Sequence, residues 1–357
     1  MSSDVAVSRR DFLKAAAGAA AALSGCAPRP GDGGGGRRLN IFNWADYLHP
    51  DVVPEFERRY GIEVTYDTFA SNEALLARMQ AGGSRYDIVV PTGYNVRYLR
   101  KLGLIKALDK GRIKGFHHIM PRLQDPAFDP GCRYSVPFMW GSTGIGYNRA
   151  AFAAAAEPDD WDVFWDRRLA GRMTLLDDAR ETLGMALKRR GYSYNTTEEP
   201  LLRTAVNDLV AQKPLTMAYT SDQVIIQLAS GDSLVSLVYS GDAYQAGRAN
   251  PQVRYVIPAS GASIWVDSWC IPESAPHVDN AYLWINFMLE PEVAARTADY
   301  VGYATPNMQA RSLISPELRA DKNLYPDDEL LSKCEEIGDV GAATFLYDRM
   351  WTELKCA

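Results

Sequence analysis

LNIFNW, residues 39–44, is a short and mostly apolar run that predicts a buried strand, and it opens a repeated strand–helix pattern. Residues 51–60 follow as a helical segment that a glycine ends, and residues 62–66 form a second strand rich in β-branched residues. A helix from Ser71 and a strand at residues 86–90 repeat the alternation. Strands that alternate with helices form parallel β-α units, so the sequence predicts an α/β fold.

Further strands and helices are predicted in the second half of the chain, after a glycine-rich segment. That segment, GSTGIG at residues 141–146, follows an extended run at residues 134–140. The predicted strands lie at residues 172–176, 234–239 and 253–257, and the predicted helices at residues 181–190, 281–289 and 291–299.

The composition is that of a folded globular protein. At 357 residues the chain is long enough for two domains or one large one. A hydrophobic fraction of 47% and a charged fraction of 23% exclude a mainly disordered chain. Lysine and arginine total 38 against 44 aspartate and glutamate, a net charge of -6. This balance argues against a nucleic-acid partner, which would require a basic surface.

Residues 1–25 have the features of an export signal and are set aside from the fold. An arginine pair precedes an apolar, mostly alanine stretch at residues 12–23, and the string SRRDFLK at residues 8–14 resembles a twin-arginine signal. The apolar stretch is too short for a membrane span, which needs about 20 residues. An amphipathic N-terminal helix is the alternative, but alanine surrounds the helix without leaving a polar face.

Cys26 ends the sequence Leu-Ser-Gly-Cys, which resembles the lipobox of bacterial lipoproteins. In those proteins the cysteine becomes the lipidated first residue of the mature chain, so the resemblance implies a lipid anchor at Cys26. Residues 26–37 are glycine-rich and predict a flexible tether. Removal of residues 1–25 takes away three basic and two acidic residues, which leaves the mature chain one unit more negative.

Four cysteines remain in the mature chain: Cys132, Cys270, Cys334 and Cys356. Their spacing fits no zinc motif. An exported protein can form disulfides, so the sequence leaves open one bridge, two bridges or four free thiols. With only four histidines in the whole chain, a histidine-based metal site is not expected, and no cofactor is predicted.

Motifs of the common enzyme classes are missing from the sequence. It contains no G-x-x-x-x-G-K-[ST], no H-E-x-x-H and no G-x-S-x-G, so no catalytic residue is predicted. One enzyme alternative stays open, a hydrolase that uses Asp178 and Glu181 as acid and base, because residues three apart can share a helix face. No nucleophile or metal set accompanies this pair.

Acidic and aromatic side chains recur together near the ends of the predicted strands. The five places are Trp44-Ala-Asp46-Tyr47, Thr92-Gly-Tyr94, Asp177-Asp178-Ala-Arg-Glu181, Tyr239-Ser-Gly-Asp242 and Trp265-Val-Asp267. In open α/β sheets, ligands bind outside the carboxyl ends of strands. Carboxylates there favour a cationic ligand, and aromatic faces add cation–π attraction and a slot for methylenes. Each place alone has a plainer explanation: a strand-end aromatic is often core, and Asp178 could be a helix N-cap.

Six segments, in order along the chain, resemble the spermidine/putrescine-binding proteins of bacterial ABC importers. They are LNIFNWADY (39–47), YDIVVPTGY (86–94), YSVPFMWGSTGIGYN (134–148), LLDDARE (175–181), IWVDS (264–268) and GYATPN (302–307). The resemblance implies a two-lobed α/β periplasmic-binding-protein fold with the ligand in the cleft between the lobes and hinge crossovers that join them. Carried over to this sequence, lobe 1 is residues 38–142 plus 266–311, and lobe 2 is residues 143–265 plus 312–357.

The same resemblance implies a set of ligand-binding residues. Residues matching the family's aromatic and polar pocket positions are Trp44, Tyr47, Thr92, Tyr94, Tyr239, Trp265 and Tyr303. Residues matching carboxylates that hold ligand amines are Asp178, Glu181 and Asp267, while Asp46, Asp242 and Ser221 match positions of the putrescine branch. The stretch Ser71-Asn-Glu73 also matches, and there we expect a structural role.

Three departures from the family pattern affect the ligand. Ala45 stands where members usually carry a hydroxyl residue, and Tyr239 stands where a tryptophan is common. Ile337 stands near a glutamine position of the spermidine branch, so a third amine would lose a contact there. The preference therefore leans slightly to putrescine, although DDARE and IWVDS look closer to the spermidine branch.

The sequence as a whole predicts a solute-binding protein of an ABC importer that captures a polyamine and passes it to a membrane permease. We expect it to be exported to the periplasm or cell surface, lipid-anchored and monomeric, with no enzymatic activity. The remaining alternative within the fold is another ligand, such as a different organic cation, an amino acid derivative or a sugar. The pocket carboxylates argue against an anion or a neutral sugar.

Overall fold

The computed structural model describes residues 37–82, 85–152 and 156–357. The predicted export signal at residues 1–25 and the lipidation site Cys26 lie outside the described residues, as does all of the tether except its last residue. Residues 37–357 form one compact unit.

The described residues contain ten strands and thirteen α-helices. The strands are β1 (Arg38–Trp44), β2 (Glu63–Phe69), β3 (Ile88–Val89), β4 (Ser135–Asn148), β5 (Met173–Leu175), β6 (Thr216–Tyr219), β7 (Val235–Tyr239), β8 (Val253–Val256), β9 (Ser263–Cys270) and β10 (Glu335–Glu336). The helices are α1 (Val52–Tyr60), α2 (Asn72–Gln80), α3 (Gly93–Lys101), α4 (Ala179–Arg189), α5 (Glu199–Gln212), α6 (Val224–Ser230), α7 (Ser240–Ala249), α8 (Val278–Met288), α9 (Pro291–Val301), α10 (Met308–Leu313), α11 (Pro316–Ala320), α12 (Asp328–Leu331) and α13 (Thr344–Cys356).

The strands form one mixed sheet in the order β2-β1-β3-β9-β4-β7-β5-β6, with β8 paired to β4 and β10 paired to β9. The outer pairs, β1 with β2 and β3 and β5 with β6 and β7, are parallel, as the alternation of strands and helices predicts. The centre is antiparallel because β4 runs against β7, β8 and β9, and β9 also runs against β3; only the short β10 pairs with β9 in parallel. The α/β class is confirmed, and the sheet is mixed rather than all parallel.

Two large hydrophobic cores give the fold its two lobes. The first core draws its buried side chains from residues 39–140 and 264–325, and the second from residues 145–262 and 340–354. Strands β4 and β9 join the cores: β4 places Trp140 in the first and Ile145 in the second. A smaller core lies under α6 and α7. Strands β4 and β9 therefore correspond to crossovers of the two-lobed fold that the resemblance implies.

The lobe boundaries stay a prediction, and the composition of the two cores argues for moving one of these boundaries. Ile314, Leu318 and Tyr325 are buried in the first core, although the predicted boundary assigns residues 312–357 to lobe 2. We therefore propose that the last crossover follows Tyr325, because a segment that buries its apolar side chains in one core moves with that core.

The glycine-rich segment at residues 141–146 lies inside β4 and continues the extended run that precedes it. A Cβ on Gly141 would lie 2.5 Å from the Trp265 ring, and one on Gly144 would lie 2.6 Å from the carbonyl oxygen of Val256. Glycine at these positions lets neighbouring strands and side chains approach the backbone. The composition of the segment therefore reflects close packing.

Several elements lie outside the sequence prediction. The helices α3, α5 to α7 and α10 to α13 and the strands β6, β9 and β10 were not predicted, and the strand expected at residues 86–90 is shortened to β3. Trp265 and Asp267 lie inside β9, not at the end of a strand.

The four mature-chain cysteines are free thiols in the described structure, with Cys132 and Cys270 buried, Cys334 partly buried and Cys356 exposed. Within the described ranges, no helix is long and apolar enough to cross a membrane. The same ranges contain no group of three or more side chains placed to hold a metal ion.

Candidate ligand-binding site

Asp267 lies in β9 with its carboxylate held by two hydroxyl groups. Tyr47 donates its hydroxyl to Oδ2 at 2.7 Å, and Thr92 donates its hydroxyl to Oδ1 at 2.7 Å. The residue is 5% exposed, and burial raises its pKa to about 6, against the opposing effect of the Thr92 and Tyr47 hydrogen bonds. Its two donors are neutral hydroxyls, and no ion pair to it forms among the described residues, so the carboxylate is suited to accept a cationic group.

The local backbone explains how Tyr47 and Thr92 reach Asp267. Asp46 adopts a left-handed conformation with φ 52°, which turns the chain after β1; aspartate is one of the few residues that tolerate this region. Thr92 precedes α3 and forms a bridge to Asp267 across the sheet. Asn72 holds Thr92 from the other side, since its amide nitrogen donates to Thr92 Oγ1 at 3.1 Å and its Oδ1 accepts from Thr92 N at 3.2 Å.

Glu181 and Asp178 form a second acidic group at the start of α4. Thr143 donates to Glu181 Oε1 at 2.8 Å, and Ser263 donates to Oε2 at 2.6 Å. Glu181 is 3% exposed, and burial, followed by the nearby charge of Asp178, raises its pKa to about 8. Both oxygens are therefore fixed by neutral hydroxyl donors, and the charge of Arg180 only partly opposes the rise in pKa.

Asp178 is the N-cap of α4, because its Oδ1 accepts a hydrogen bond from the backbone N–H of Glu181 at 3.0 Å. Burial raises the pKa of Asp178, while this capping bond and the charge of Arg180 oppose the shift. The capping alternative considered from the sequence is thus correct. A capping bond occupies one oxygen, so it leaves the other free to meet a ligand.

The third acidic group is Asp242, which lies in the first turn of α7 and accepts a hydrogen bond at 2.8 Å from the hydroxyl of Tyr303. Burial raises the pKa of Asp242 to about 6, with a further contribution from Asp46. Gly241 allows this approach, since a Cβ there would lie 2.4 Å from the Tyr303 ring.

Four aromatic rings connect the three acidic groups. The Tyr47 and Tyr303 ring centroids are 5.4 Å apart, those of Tyr303 and Trp265 are 5.1 Å apart, and those of Trp265 and Tyr239 are 6.0 Å apart, all edge-on. Tyr239 packs against both large cores. Burial raises the pKa of its phenol, and the charges of Asp178, Glu181 and Asp242 add to the rise. Tyr239 therefore lies between the acidic groups of α4 and α7.

The comparison with known proteins assigns the chain to a family. Residues 51–326 match the family described as bacterial extracellular solute-binding protein. The chain belongs to this family. The resemblance to spermidine/putrescine-binding proteins is confirmed as well. The spermidine/putrescine-binding periplasmic protein of Escherichia coli is 37% identical over 318 residues, which is 89% of this chain and 91% of that protein.

Two further relatives extend the comparison. The putrescine-binding periplasmic protein SpuD of Pseudomonas aeruginosa is 33% identical over 335 residues, covering 89% of this chain and 91% of its own length. Among solved structures, the spermidine/putrescine ABC transporter substrate-binding protein of Streptococcus pneumoniae has a TM-score of 0.80 and 35% identity, covering 89% of this chain and 98% of that one.

In this solute-binding protein, the acidic and aromatic residues predicted from the sequence fall into two sets. One set lies in the network just described; it comprises Tyr47, Thr92, Asp178, Glu181, Tyr239, Asp242, Trp265, Asp267 and Tyr303. Tyr94, in the first turn of α3, extends it, because burial raises its pKa and the charges of Glu73 and Asp178 contribute.

The remaining predicted residues, Trp44, Asp46 and Ser221, lie at the edge of this acidic and aromatic network. Trp44 donates its indole N–H to Val90 O at 3.0 Å and packs on Phe69, with ring centroids 4.6 Å apart. Asp46 is exposed and reaches the network only through its charge near Asp242. Ser221 lies between β6 and α6 and is partly buried.

Three residues of the site were missed or undervalued in the sequence. Thr143 and Ser263 hold Glu181, but they come from β4 and β9, far away in sequence. Asn72 fixes Thr92, in agreement with the structural role expected for the Ser71-Asn-Glu73 stretch. Among the three, only Asn72 could have been found from the sequence, because it directly follows the N-cap residue Ser71.

Proposed function

We propose that this solute-binding protein captures a polyamine between its lobes and delivers it to the membrane permease of an ABC importer. The observation that carries the proposal is the placement of buried carboxylates on two sides of one aromatic wall. Asp267 comes from β9, while Asp178 and Glu181 come from α4, and Tyr239 lies between the α4 pair and Asp242. A diamine needs an acidic partner at each end of its methylene chain.

The electrostatics of the site favour a cation. The pKa values of Asp267, Asp242 and Glu181 are raised to about 6, about 6 and about 8, and burial is the first cause in each. A bound ammonium group would lower all three pKa values, ionise Glu181 at neutral pH and make charge-assisted hydrogen bonds with the carboxylates. The faces of Trp265 and Tyr303 would receive the methylenes and add cation–π attraction.

The names of the relatives support the ligand class. The E. coli relative is described as spermidine/putrescine-binding and the P. aeruginosa relative as putrescine-binding. Ile337, at the position compared with a glutamine of the spermidine branch, is 8% exposed. An amine buried against isoleucine would lack a partner, at a cost of about 1–3 kcal/mol. We therefore infer that putrescine is bound well and that spermidine competes with it.

The proposed mechanism is capture by closure. Tyr303 of the first core contacts Asp242 on α7, so one aromatic wall already spans parts of both lobes. A ligand that bridges Asp267 and the α4 carboxylates would stabilise the closed arrangement, and the permease would receive the closed form. Affinity would then come from desolvated charge pairs and aromatic packing.

Export and anchoring complete the proposal. Residues 1–25 would direct export, and Cys26 would carry the lipid that holds the mature protein at the membrane, in the periplasm or at the cell surface. A single acyl chain holds only weakly, so firm attachment would need more than one. We propose that the protein acts as a monomer, since one chain supplies both walls of the site.

A hydrolase is the rival from a different class, and the raised pKa of Glu181 gives it a specific basis. A protonated Glu181 beside Asp178 resembles a general acid beside a carboxylate. However, both Glu181 oxygens accept hydrogen bonds from hydroxyl groups, and one Asp178 oxygen caps α4. These hydrogen bonds make the pair poorly suited to transfer protons to and from a substrate. Incubation with N-acetylputrescine should give thermal stabilisation at most, and release of putrescine would favour the hydrolase.

The deciding experiment is calorimetry with a ligand panel. Putrescine, cadaverine, spermidine and spermine should bind, with putrescine among the tight ligands. Two matched controls test the charge argument: 1-aminobutane has the same chain with one amine, and 1,4-butanediol has none. We expect the monoamine to bind at least about tenfold more weakly, or about 1.4 kcal/mol, and the diol not at all. Equal binding of diol and diamine would refute a cation site.

A further inference from the structure

Helix α3 presents one face to the second lobe. Tyr94, Tyr98 and Lys101 are spaced i, i+4 and i+7, so their side chains point the same way. Tyr94 belongs to the candidate site, while Val96 and Leu99, on the opposite face, are buried in the first core. Tyr98 and Lys101 thus continue the site face of α3 towards its C-terminus, outside the acidic and aromatic network.

Both residues contact a segment of the second lobe. The Tyr98 hydroxyl donates to Asp339 Oδ1 at 3.1 Å, and it lies 3.0 Å from the hydroxyl oxygen of Thr344. Lys101 forms an ion pair with Asp339 Oδ2. The Asp339 side chain is 5% exposed, whereas that of Lys101 is 54% exposed. The Lys101 hydrogen bond is the first cause of a lowered Asp339 pKa, so the carboxylate stays ionised at neutral pH.

The Asp339 segment is anchored in the second lobe. Val340 and Tyr347 are buried in the second core. Arg180 donates to the carbonyl oxygen of Gly338 at 3.0 Å, and the Gly338 N–H donates to Asn195 Oδ1 at 2.7 Å. Arg180 lies in the first turn of α4, between Asp178 and Glu181. The contacts of Tyr98 and Lys101 with Asp339 therefore bridge the lobes while both partners connect to ligand-site helices.

We propose that Tyr98, Lys101 and Asp339 form an interlobe latch that holds the closed protein together and sets how long a bound ligand stays. The proposal rests on the proposed function, because it needs a ligand that is released when the lobes separate. The latch residues are positioning residues, since they act through the relative placement of α3 and α4. When the lobes part, the Lys101–Asp339 and Tyr98–Asp339 contacts are lost together, which makes opening less favourable.

The mechanism predicts a specific signature. A contact present only in the closed form lowers the apparent dissociation constant by enlarging the closed population, and it does so equally for every ligand that needs closure. Loss of the latch should therefore raise the dissociation rate and leave the order of ligand preference unchanged. A loss of direct amine contacts would change that order.

The test uses the full mature chain and stopped-flow binding of putrescine and spermidine. Lys101→Met and Tyr98→Phe should each raise the dissociation rate about three- to tenfold for both ligands, with association rates little changed. Arg59→Met is the matched control, because Arg59 is 48% exposed and pairs with Glu290 at 2.6 Å. Its guanidinium lies over the rings of Tyr60 and Phe287, which are both part of or packed against the first core, so this pair does not bridge the lobes. This control should leave both rates unchanged. The charge-swapped pair Lys101→Asp with Asp339→Lys should restore part of the lost residence time.

Small-angle X-ray scattering supplies a readout that needs no ligand. The latch predicts that Lys101→Met increases the radius of gyration of the ligand-free protein relative to the Arg59→Met control. If the parent chain binds no polyamine, the proposed function fails, and scattering still decides the latch. Unchanged scattering, or dissociation rates in Lys101→Met and Tyr98→Phe that match the control, would refute it.

Discussion

Tyr303 donates its hydroxyl to Asp242 at 2.8 Å, and this bond joins an aromatic residue of the first core to a carboxylate at the start of α7. Burial raises the pKa of Asp242 to about 6, and the hydrogen bond from Tyr303 opposes this rise. Tyr303 also lies edge-on to Tyr47 and Trp265. Tyr303 thus belongs to the aromatic wall of the site and also influences the ionisation of Asp242.

Tyr303→Phe should therefore weaken polyamine binding and shift its pH dependence. The ring and its edge contacts remain, but Asp242 loses its donor, so its pKa should rise further and less of it should be ionised at neutral pH. We expect a loss of about 1–3 kcal/mol in binding at pH 7, and a larger loss at pH 6. Calorimetry at both pH values measures it. A loss that is identical at pH 6 and pH 8 would show that Asp242 does not take part.

Asp267→Asn should weaken polyamine binding by several kcal/mol, roughly the cost of removing one partner of a buried charge pair. The change is isosteric, so the fold should survive, with circular dichroism unchanged. Asp67→Asn is the matched control, because the Asp67 carboxylate also accepts a tyrosine hydroxyl, from Tyr86 at 2.8 Å, but lies outside the site. Affinity of Asp267→Asn within about twofold of the control, or about 0.4 kcal/mol, would exclude Asp267 as an amine partner.

The raised pKa of Glu181 predicts how the stability of the ligand-free protein depends on pH. In the unfolded chain Glu181 ionises near its ordinary value, whereas in the folded protein it keeps its proton until about pH 8. Between these values the folded state binds more protons, so the free energy of unfolding should fall as the pH rises. Calorimetric melting from pH 5 to pH 8 should show this fall, and Glu181→Gln should reduce it.

A bound polyamine should reverse the effect, because the ammonium group favours the ionised carboxylates. The increase in melting temperature on adding putrescine should therefore grow from pH 5 to pH 8, and proton release should accompany binding. A wild-type profile parallel to that of Glu181→Gln would contradict the raised pKa.

Local signals in the sequence predict much of the fold and of the site. Strand β1, the helix that begins after Ser71 and the capping role of Asp178 depend on residues close in sequence, and the structure contains all three. The strand-end pattern also predicts the acidic and aromatic network at Asp178, Glu181 and Asp242, since strand ends at one edge of a sheet converge.

Contacts between segments far apart in the chain could not be predicted from the sequence. The donors to Glu181 come from residues 38 and 82 positions away, and no local pattern pairs them. The role of the glycines in β4 is non-local as well, because it depends on the Trp265 ring and the backbone of Val256, which approach from other strands. Likewise, the latch pairs Lys101 with a residue 238 positions later.

Cys26→Ser should release the mature protein from the membrane if the lipobox resemblance is right. Cell fractionation should move the protein from the membrane to the soluble fraction, while its affinity for putrescine stays unchanged. Mass spectrometry of the wild-type N-terminus should find an acylated Cys26. An unmodified mature chain that begins elsewhere would overturn the anchoring proposal.

Ile337→Gln should shift the ligand preference towards spermidine. Ile337 is buried, and it lies directly before Gly338, whose backbone is hydrogen-bonded to Arg180 and Asn195. A glutamine carbonyl there could accept a hydrogen bond from a third amine that isoleucine leaves without a partner. We expect the ratio of spermidine to putrescine affinity to rise about tenfold, or about 1.4 kcal/mol. Ile337→Met is the control for volume, because it keeps the site apolar, and it should leave the ratio unchanged. If the wild type already binds spermidine tenfold more tightly than putrescine, the role assigned to Ile337 is wrong, and the acidic group that includes Asp242 recognises the longer chain.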